Sequence, residues 1–383
     1  MSLFSAASLI LFLVVTGIAV DVVLGLARLQ RLVDTQPRPY PGAPPVSIVV
    51  AARDEARGIE QATRSLLAQQ YPGFEVIAVD DRSTDQTGAI LDRLGGEDPR
   101  LRVIHIKDLP EGWLGKNHAL STAAQAARGE WLLFTDADVV MEPRAVARAV
   151  GFCERDELDH LAVLPEVRVP GILLQGFVTG FVGFGLAAMR PWKVRDPASR
   201  RFGGVGAFNL VRASAYRRVG GHTPIRLRPD DDLKLGKILK RSGARSDVVV
   251  GNGAISVEWY HSIGEAVDGL MKNAFSVVQY RPLLMILAAL VYLVVGIGPL
   301  VALLVGPGPA RIFGLATMAV LGGVLLRVRK EMEMPRRSAL VFPVVCLLLA
   351  WIVLRALVLT LSQGGIVWRG TFYPLEELRK NRV

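Results

Sequence analysis

Leu283 to Val305 carries no charged residue, and Ala339 to Leu361 carries one, Arg355. Each run exceeds the roughly 20 apolar residues that span the hydrocarbon core of a bilayer, so both are expected to be transmembrane helices. A third run, Leu3 to Leu26, is broken only by Asp21 near its end. No basic residue precedes it and its apolar stretch is too long for a signal-peptide core, so it reads as an uncleaved anchor. Ile312 to Leu326 is apolar but shorter than a usual span, which fits a tilted or re-entrant piece. Three or four crossings of a cell membrane are expected.

Basic residues flank these runs. Arg28, Arg31 and Arg38 follow the first, and Arg327, Arg329, Lys330, Arg336 and Arg337 precede the last. Positive charge beside a span marks the cytoplasmic side, which puts the polar region between them in the cytoplasm. With four crossings the tail bearing Arg369, Arg379, Lys380 and Arg382 would lie outside, so the parity stays open. The net charge of +10 sits largely at these flanks, where anionic lipid accounts for it. No nucleic-acid motif accompanies it, and nucleic acid is not an expected partner. Cys153 and Cys346 lie far apart and imply neither a disulfide framework nor a metal cluster.

The chain divides accordingly into an anchor (1–30), a linker (31–45), a soluble domain (46–281), a C-terminal transmembrane region of two or three spans (282–363) and a basic tail (364–383). "TQPRPYPGAPP" at 35–45 is Pro- and Gly-rich linker chemistry. In the soluble domain, "VSIVVAA", "FEVIAVDD", "LRVIHI" and "WLLFTDADVV" are short apolar runs, separated by stretches of helical spacing. This βαβ rhythm predicts an α/β domain with a mostly parallel sheet covered on both faces. Such sheets bind ligands at the carboxyl ends of their strands. Acidic residues gather there.

Arg53, Asp54 and Glu55 follow the first strand, and Asp80 and Asp81 end the second. Adjacent carboxylates repel unless something binds them. A nucleoside would, through base N–H groups and ribose hydroxyls; helix capping is the plainer role open to Asp54 and Asp85. Asp136 and Asp138 are two residues apart, and on an extended segment such a pair points the same way. That spacing suits Mg²⁺ or Mn²⁺, which takes few protein carboxylates and completes its shell with water and phosphate oxygens, making a diphosphate clamp. Asp230, Asp231 and Asp232 open an amphipathic helix and exceed what capping needs. One of them, its pKa raised by its neighbours, would serve as a general base. Lys116, preceded by Gly115, starts another helix where it can reach a phosphate. "RFGGVGAFNLVR" at 201–212 is either a tight turn into a strand or a loop lining an acceptor pocket. "GILLQGFVTGFVGFGLAAM" at 171–189 is either a buried helix or a segment in the membrane interface that admits a lipid.

"VSIVVAARDE", "VIAVDDRSTD", "GWLGKNHAL", "LLFTDADV", "GAFNLVRASAYRRVGGH" and "DDLKLGKILKRSG" occur in the order found in glycosyltransferase family 2. The chain most resembles its membrane-anchored, lipid-glycosylating branch, the ceramide glucosyltransferase-like, hopanoid-associated and carotenoid glycosyltransferase-like members. The resemblance covers residues 46 to about 275. It implies a GT-A, Rossmann-like nucleotide-diphospho-sugar transferase fold, a nucleotide-sugar donor, with a UDP-sugar the first expectation, and displacement with inversion at the anomeric carbon. By motif, Asp54 and Asp81 fall on the nucleoside, Lys116 on the nucleotide side, and Asp136 and Asp138 on metal and diphosphate; Ala52, Glu55 and Asp80 beside them are further expected substrate-binding residues. Asp231 and Asp232 match the family's Glu-Asp pair, with Asp in place of Glu at Asp231 and Asp230 allowing a second register. The second acid is the base, here Asp232. Polymerising relatives carry Gln-x-x-Arg-Trp after the base; "QYRP" at 279–282 lacks the tryptophan, so a single sugar moved to a lipid is expected. The tail "WRGTFYPLEEL" also resembles an ending in these relatives that returns to the catalytic face.

Three rivals are weighed. A polyprenyl-phosphate sugar synthase shares fold and donor but attacks with a lipid phosphate that needs no base. A nucleotidyltransferase would need a glycine-rich triphosphate loop, which "AARDEARG" does not supply. A membrane scaffold or transporter would leave the strand-end acids as solvated surface.

Overall fold

The computed structural model describes residues 1–37, 42–381 and 383. Arg38, Arg382 and residues 39–41 of the Pro-rich linker lie outside the described residues. The chain forms two compact units. One comprises Met1–Arg28, Val169–Arg190 and Trp259–Arg379; the other comprises Leu29–Arg168, Pro191–Glu258 and Lys380–Val383.

After helix α1 (Leu3–Leu26), the second unit begins with strand β1 (Val46–Ala52), helix α2 (Ile59–Leu67), β2 (Phe74–Asp81), α3 (Thr87–Glu97), β3 (Leu101–Ile106), α4 (Gly115–Ala126) and β4 (Trp131–Asp136). β5 (Val139–Met141), α5 (Ala145–Arg155), β6 (His160–Leu164) and β7 (Glu166–Arg168) follow, and α6 (Ile172–Met189) then interrupts the run. β8 (Asn209–Arg212), α7 (Ala213–Arg218), α8 (Asp231–Arg241), β9 (Ser246–Val250) and β10 (Ile255–Glu258) complete it. Seven strands make one sheet in the order β3-β2-β1-β4-β8-β6-β9. β3, β2, β1 and β4 run parallel, while β8 is antiparallel to both β4 and β6. β1 reads as a continuous β-branched run because it is buried along almost its whole length. Val49, Ile77, Val79, Leu132 and Phe134 on one sheet face pack with Ala119, Leu120 and Ala123 of α4, Ala215 and Tyr216 of α7, and Leu235 and Leu239 of α8. That core brings α4 and α8 to the same side of the sheet.

The "WLLFTDADVV" stretch departs from a single strand. β4 ends at Asp136, Ala137 and Asp138 form a turn, and β5 joins a separate three-stranded sheet in the order β5-β10-β7. The alternation of an extended segment therefore does not orient the two carboxylates; a strand that changes sheets does.

In the other unit α9 (Ile263–Val277), α10 (Pro282–Val305), α11 (Gly308–Glu331) and α12 (Phe342–Gln363) accompany α1 and α6, followed by the hairpin β11 (Gly365–Trp368) and β12 (Thr371–Pro374). Among the described residues, five helices are long and apolar enough to cross a membrane: α1, α6, α10, α11 and α12. Three or four were expected. α11 gains full length because its backbone runs on past the apolar stretch through Arg327 and Glu331, which pair one turn apart. α6, left open between a buried helix and an interfacial one, groups with the apolar helices. Asp21 of α1 and Arg190, which ends α6, form an ion pair at 2.9 Å.

Candidate active site

Strand register aligns the acidic ends. Ala51 pairs with Asp136 on one side and with Val79 on the other, Ala52 pairs with Asp80, and Asp80 pairs with His105. Ala52, Asp80 and Asp136 therefore lie along one edge, at the carboxyl ends of three parallel strands.

On the β1–β2 side of that edge, the loops are stitched to one another. Asp54 holds a left-handed backbone (φ 54°), and its Oδ1 accepts from the Thr84 N–H at 2.7 Å while its own N–H donates to Ser83 Oγ at 3.0 Å. The Glu55 N–H donates to Thr87 Oγ1 at 2.8 Å. Asp85 accepts from the Ala56 N–H at 3.0 Å and, as a helix cap would, from the Thr87 N–H at 2.9 Å. Asp80 accepts from the Ser83 N–H at 3.2 Å and meets His105 Nδ1 at 3.0 Å, and His105 Nε2 meets Asp92 at 2.8 Å. Asp92 and Asp80 hold the His105 imidazole above its usual pKa. Asp81 is buried and takes Arg82 in a fork at 2.8 and 3.1 Å. A Cβ on Gly115 would stand 2.2 Å from Asp81 Oδ2, so the first residue of α4 is glycine where that carboxylate meets the helix N-terminus.

Further along the edge a single pocket is lined by Lys116, Asp136, Asp231 and Asp232, together with Thr135, Gly206, Asn209 and His222. Lys116 Nζ lies 2.7 Å from Asp136 Oδ1 and 3.6 Å from Asp231 Oδ1. Burial works against its charge, but Asp136, Asp231 and Asp232 together hold its pKa above the usual lysine value. Asp231 is pushed up to about 7 by burial, against the pull of Lys116 and with the push of Asp232 and Asp136. Asp232 is raised as well, chiefly by burial, although its Oδ1 accepts from the Leu233 N–H at 2.7 Å. The third acid of the run has a different fate. Asp230 takes Arg228 in a fork at 3.0 and 3.2 Å and Lys234 at 3.0 Å, with all three side chains buried. The register of the three acids thus separates one structural carboxylate from two that face the pocket.

Asp138 stands beside the pocket. Burial, Asp136 and Glu55 push its carboxyl up to about 7, and no ion-pair partner meets it among the described residues. Excess negative charge of this kind, from two carboxylates flanking a turn, is a donor set that a hard divalent cation fits. Among the described residues no group of three or more His, Cys, Asp or Glu forms a complete metal shell; such a cation would draw its remaining ligands from elsewhere.

The glycine-rich stretch at 201–206 lies against these acids. A Cβ on Gly206 would stand 2.5 Å from Asp136 Oδ2, and one on Gly204 would stand 2.0 Å from the Asp232 carbonyl oxygen. The stretch turns at Gly206 and Ala207 into β8, and Gly206 also lines the pocket, so the tight turn and the pocket-lining loop are one segment. Three polar residues had no signal in the pattern. His222, buried, is lowered to about 3 by burial and by Lys116, and its Nδ1 meets the Tyr216 hydroxyl at 2.7 Å. Asn209 meets His160 Nε2 at 2.6 Å and reaches the Asp232 carbonyl at 3.5 Å. Asn117, one residue after Lys116, is fully buried. Only their places, Asn117 beside Lys116 and Asn209 and His222 within "GAFNLVRASAYRRVGGH", could have drawn attention to them.

Residues 47–218 match the family model described as glycosyl transferase family 2. Glycosyltransferase AglD of Haloferax volcanii is 38% identical over 119 residues, 30% of this chain and 18% of AglD. The O-antigen biosynthesis protein RfbC of Myxococcus xanthus is 30% identical over 263 residues, 64% of this chain and 20% of RfbC. A beta-monoglucosyldiacylglycerol synthase of Nostoc sp. is 32% identical over 148 residues, 37% of this chain and 31% of the synthase. The chain thus spans less than a third of these relatives' own lengths. Among solved structures, mannosyltransferase PcManGT from Pyrobaculum calidifontis, in complex with GDP-Man and Mn2+, superposes with a TM-score of 0.56 at 18% identity, over 94% of this chain and 99% of that one. That likeness shows the GT-A fold.

Proposed function

We propose that this chain, whose residues 47–218 match the glycosyl transferase family 2 model, transfers a single sugar from a nucleotide-sugar donor to a membrane lipid, with inversion. The observation that carries this reading is the bridging of Asp136 and Asp231 by Lys116 at 2.7 and 3.6 Å in one pocket. One cation there serves both the strand end where a diphosphate would lie and the helix start where a base would act.

In this reading the loops bearing Asp54, Glu55, Asp80 and Asp81 shape the nucleoside end of the site, and backbone at Ala52 lies beneath it. Asp136 and Asp138 would hold Mg²⁺ or Mn²⁺, which supplies charge neutralisation on a diphosphate leaving group. Lys116 faces the same diphosphate and keeps its proton throughout. Asp232, raised by burial toward working pH, accepts the proton of the acceptor hydroxyl as that oxygen attacks the anomeric carbon. Beyond burial, like-charge repulsion from Asp136 and Asp230 helps to keep Asp232 raised, while Asp231 stays within reach of Lys116. His222 stays neutral beside Lys116 and leaves the pocket's positive charge to the lysine.

A UDP-sugar is the first donor to try, beside GDP-mannose, which a structural neighbour binds. The lipid acceptor is supported by the similarity to a beta-monoglucosyldiacylglycerol synthase and by the five membrane-length helices among the described residues; in this reading the catalytic unit faces the cytoplasm of a multi-pass membrane protein. The test is to offer radiolabelled nucleotide sugars to the purified chain with membrane lipid extracts, with and without Mn²⁺. Label should enter the lipid phase only with cation. Equal transfer by Asp232→Asn would instead point to a lipid phosphate as acceptor, which needs no base.

A further inference from the structure

The segment just before the pocket acids, Pro224–Arg228, makes no regular helix or strand beyond a short turn at Thr223–Ile225, yet its carbonyls are almost all taken. Asn117 Nδ2 lies 2.9 Å from the Ile225 carbonyl oxygen, 3.2 Å from that of Arg226 and 2.9 Å from that of Arg228. Two N–H bonds are shared among three acceptors. The Leu114 N–H donates to the Arg226 oxygen at 2.9 Å. From the other direction Asn381 donates to the Pro224 oxygen at 3.0 Å and accepts from the Leu227 N–H at 3.3 Å. Arg228 then forks onto Asp230, the residue immediately before α8, whose side chain makes no capping hydrogen bond to the helix.

We infer that Asn117 is a positioning residue: through the 225–228 backbone it fixes Asp231 and Asp232 at their distance from Lys116. The inference rests on the glycosyl-transfer reading of those acids. Three features argue for it. Asn117 and Lys116 are neighbours in the first turn of α4, so the side chain that grips the 225–228 backbone and the side chain that faces Asp231 share one rigid element. Asn117 Oδ1 makes no hydrogen bond among the described residues, so the polar work of this fully buried amide lies wholly in Nδ2. A buried amide with a lone orphan oxygen is costly, and it is tolerated where its donor side satisfies several acceptors at once. A hydrophobic residue of like size would pack as well in that space but would take the side-chain donor from all three carbonyls, leaving those of Ile225 and Arg226 only the Arg228 and Leu114 N–H groups and that of Arg228 none of these donors.

The geometry transmits as follows. Lys116 to Asp231 is a 3.6 Å contact, long enough that a shift of 1 Å decides whether it is an ion pair. Releasing the 225–228 carbonyls frees the α8 N-terminus to move along that gap. The Lys116 charge then stabilises Asp231 and Asp232 less, and both acids titrate higher.

The test uses the full chain in detergent or vesicles, with Asn117→Ala and, on the outer side of the same segment, Asn381→Ala. Three quantities are read: donor affinity against kcat, the acid limb of the pH–rate profile, and acylation of Lys116 by N-acetoxysuccinimide at pH 8, followed by peptide mass spectrometry. Asn117→Ala should lower kcat by about 10- to 100-fold with donor Kd within about twofold, move the acid limb upward by about half a unit or more, and raise Lys116 acylation several-fold. Asn381→Ala should move the same three quantities in the same direction by less. Unchanged kcat, acid limb and labelling in Asn117→Ala overturn the inference. So does a loss of donor affinity in step with kcat and melting temperature, which is what a merely structural asparagine would give. If Asn117→Ala does not fold, Asn381→Ala decides on the same readouts, with no change in labelling or acid limb counting against the inference. Labelling does not depend on turnover: a wild-type chain that transfers no sugar, while Asn117→Ala still exposes Lys116, sinks the glycosyl-transfer reading and not the positioning one.

Discussion

Lys116 Nζ lies 2.7 Å from Asp136 Oδ1, tying the first turn of α4 to the last residue of β4. The same ammonium is 3.6 Å from Asp231. A single positive charge thus answers the carboxylates of a strand end and of a helix start that are remote in sequence.

Replacing Lys116 by Met keeps the stem and deletes the charge. Asp231 and Asp232 lose the interaction that lowers their pKa values, so both should titrate above the wild-type range. Transfer should fall by about 100-fold or more, and the acid limb of kcat should shift upward in pH. A pH–rate series on the variant checks both; an unshifted limb would remove Lys116 from the electrostatics of the base.

Asp138→Asn separates activity from stability. The Asp138 carboxyl is raised in the folded chain to about 7, against an ordinary value near 3.8. The folded state therefore holds the proton more tightly than the unfolded one. Its contribution to stability is full below about pH 4 and is lost as pH rises through 7. Without divalent cation, the wild type should melt lower at pH 8 than at pH 5.5, and Asp138→Asn should reduce that difference and melt several degrees higher at pH 8. Added Mn²⁺ should raise the wild-type melting temperature at pH 8 and leave the variant's unmoved, while transfer by the variant falls about 100-fold or more. Thermal melts with chelator and with Mn²⁺ read all of this. Transfer by Asp138→Asn that persists undiminished in chelator would end the cation clamp.

Much of this architecture is legible in the sequence, and the parts that are not share a cause. β1, β2, β3 and β4 were visible because buried parallel strands are continuous apolar runs, and the acids at their ends were visible because charge after such a run is conspicuous. The length of α11 was not, because Arg327 to Glu331 end an apolar pattern without ending a helix. The turn at Ala137–Asp138 was hidden for a related reason: "DADVV" reads equally well as one strand or as two in different sheets, and only the pairing of Val139–Met141 with Ile255–Val257 decides. Asp230 could not be told from Asp231 and Asp232, since what distinguishes it is a buried Arg228 whose placement is tertiary. Asn117, Asn209 and His222 left no periodic trace at all; a buried polar side chain is defined by its partners, and those come from distant segments.

Two neighbouring acids should then fail in opposite ways. Asp232→Asn removes the proposed base while keeping shape, so kcat should fall by about 1,000-fold with donor Kd unchanged and melting temperature intact or raised. Asp230→Asn strips the buried Arg228 guanidinium of its forked carboxylate and Lys234 of its partner, which should cost about 3 kcal/mol and lower the melting temperature. Calorimetry or a thermal-shift assay, run beside donor titration, distinguishes the two. If Asp230→Asn were stable and inactive, the register of the acids would have to move by one.

Gly206→Ala tests whether the glycine-rich loop shapes the site. Its Cβ would stand 2.5 Å from Asp136 Oδ2, closer than contacting atoms allow, so either the loop must lift or Asp136 must turn away from Lys116. Both routes loosen the pocket without removing any chemical group. kcat/KM should fall by about 10- to 100-fold, with divalent-cation affinity falling alongside because Asp136 is one of the two proposed ligands. Gly96→Ala supplies the control: a Cβ there, in α3, meets nothing within 4 Å, and alanine should leave transfer unchanged while adding up to about 1 kcal/mol of stability. Should Gly206→Ala behave like Gly96→Ala in both activity and cation titration, the loop passes near the acids without constraining them, and Asp136 owes its position to β4 alone.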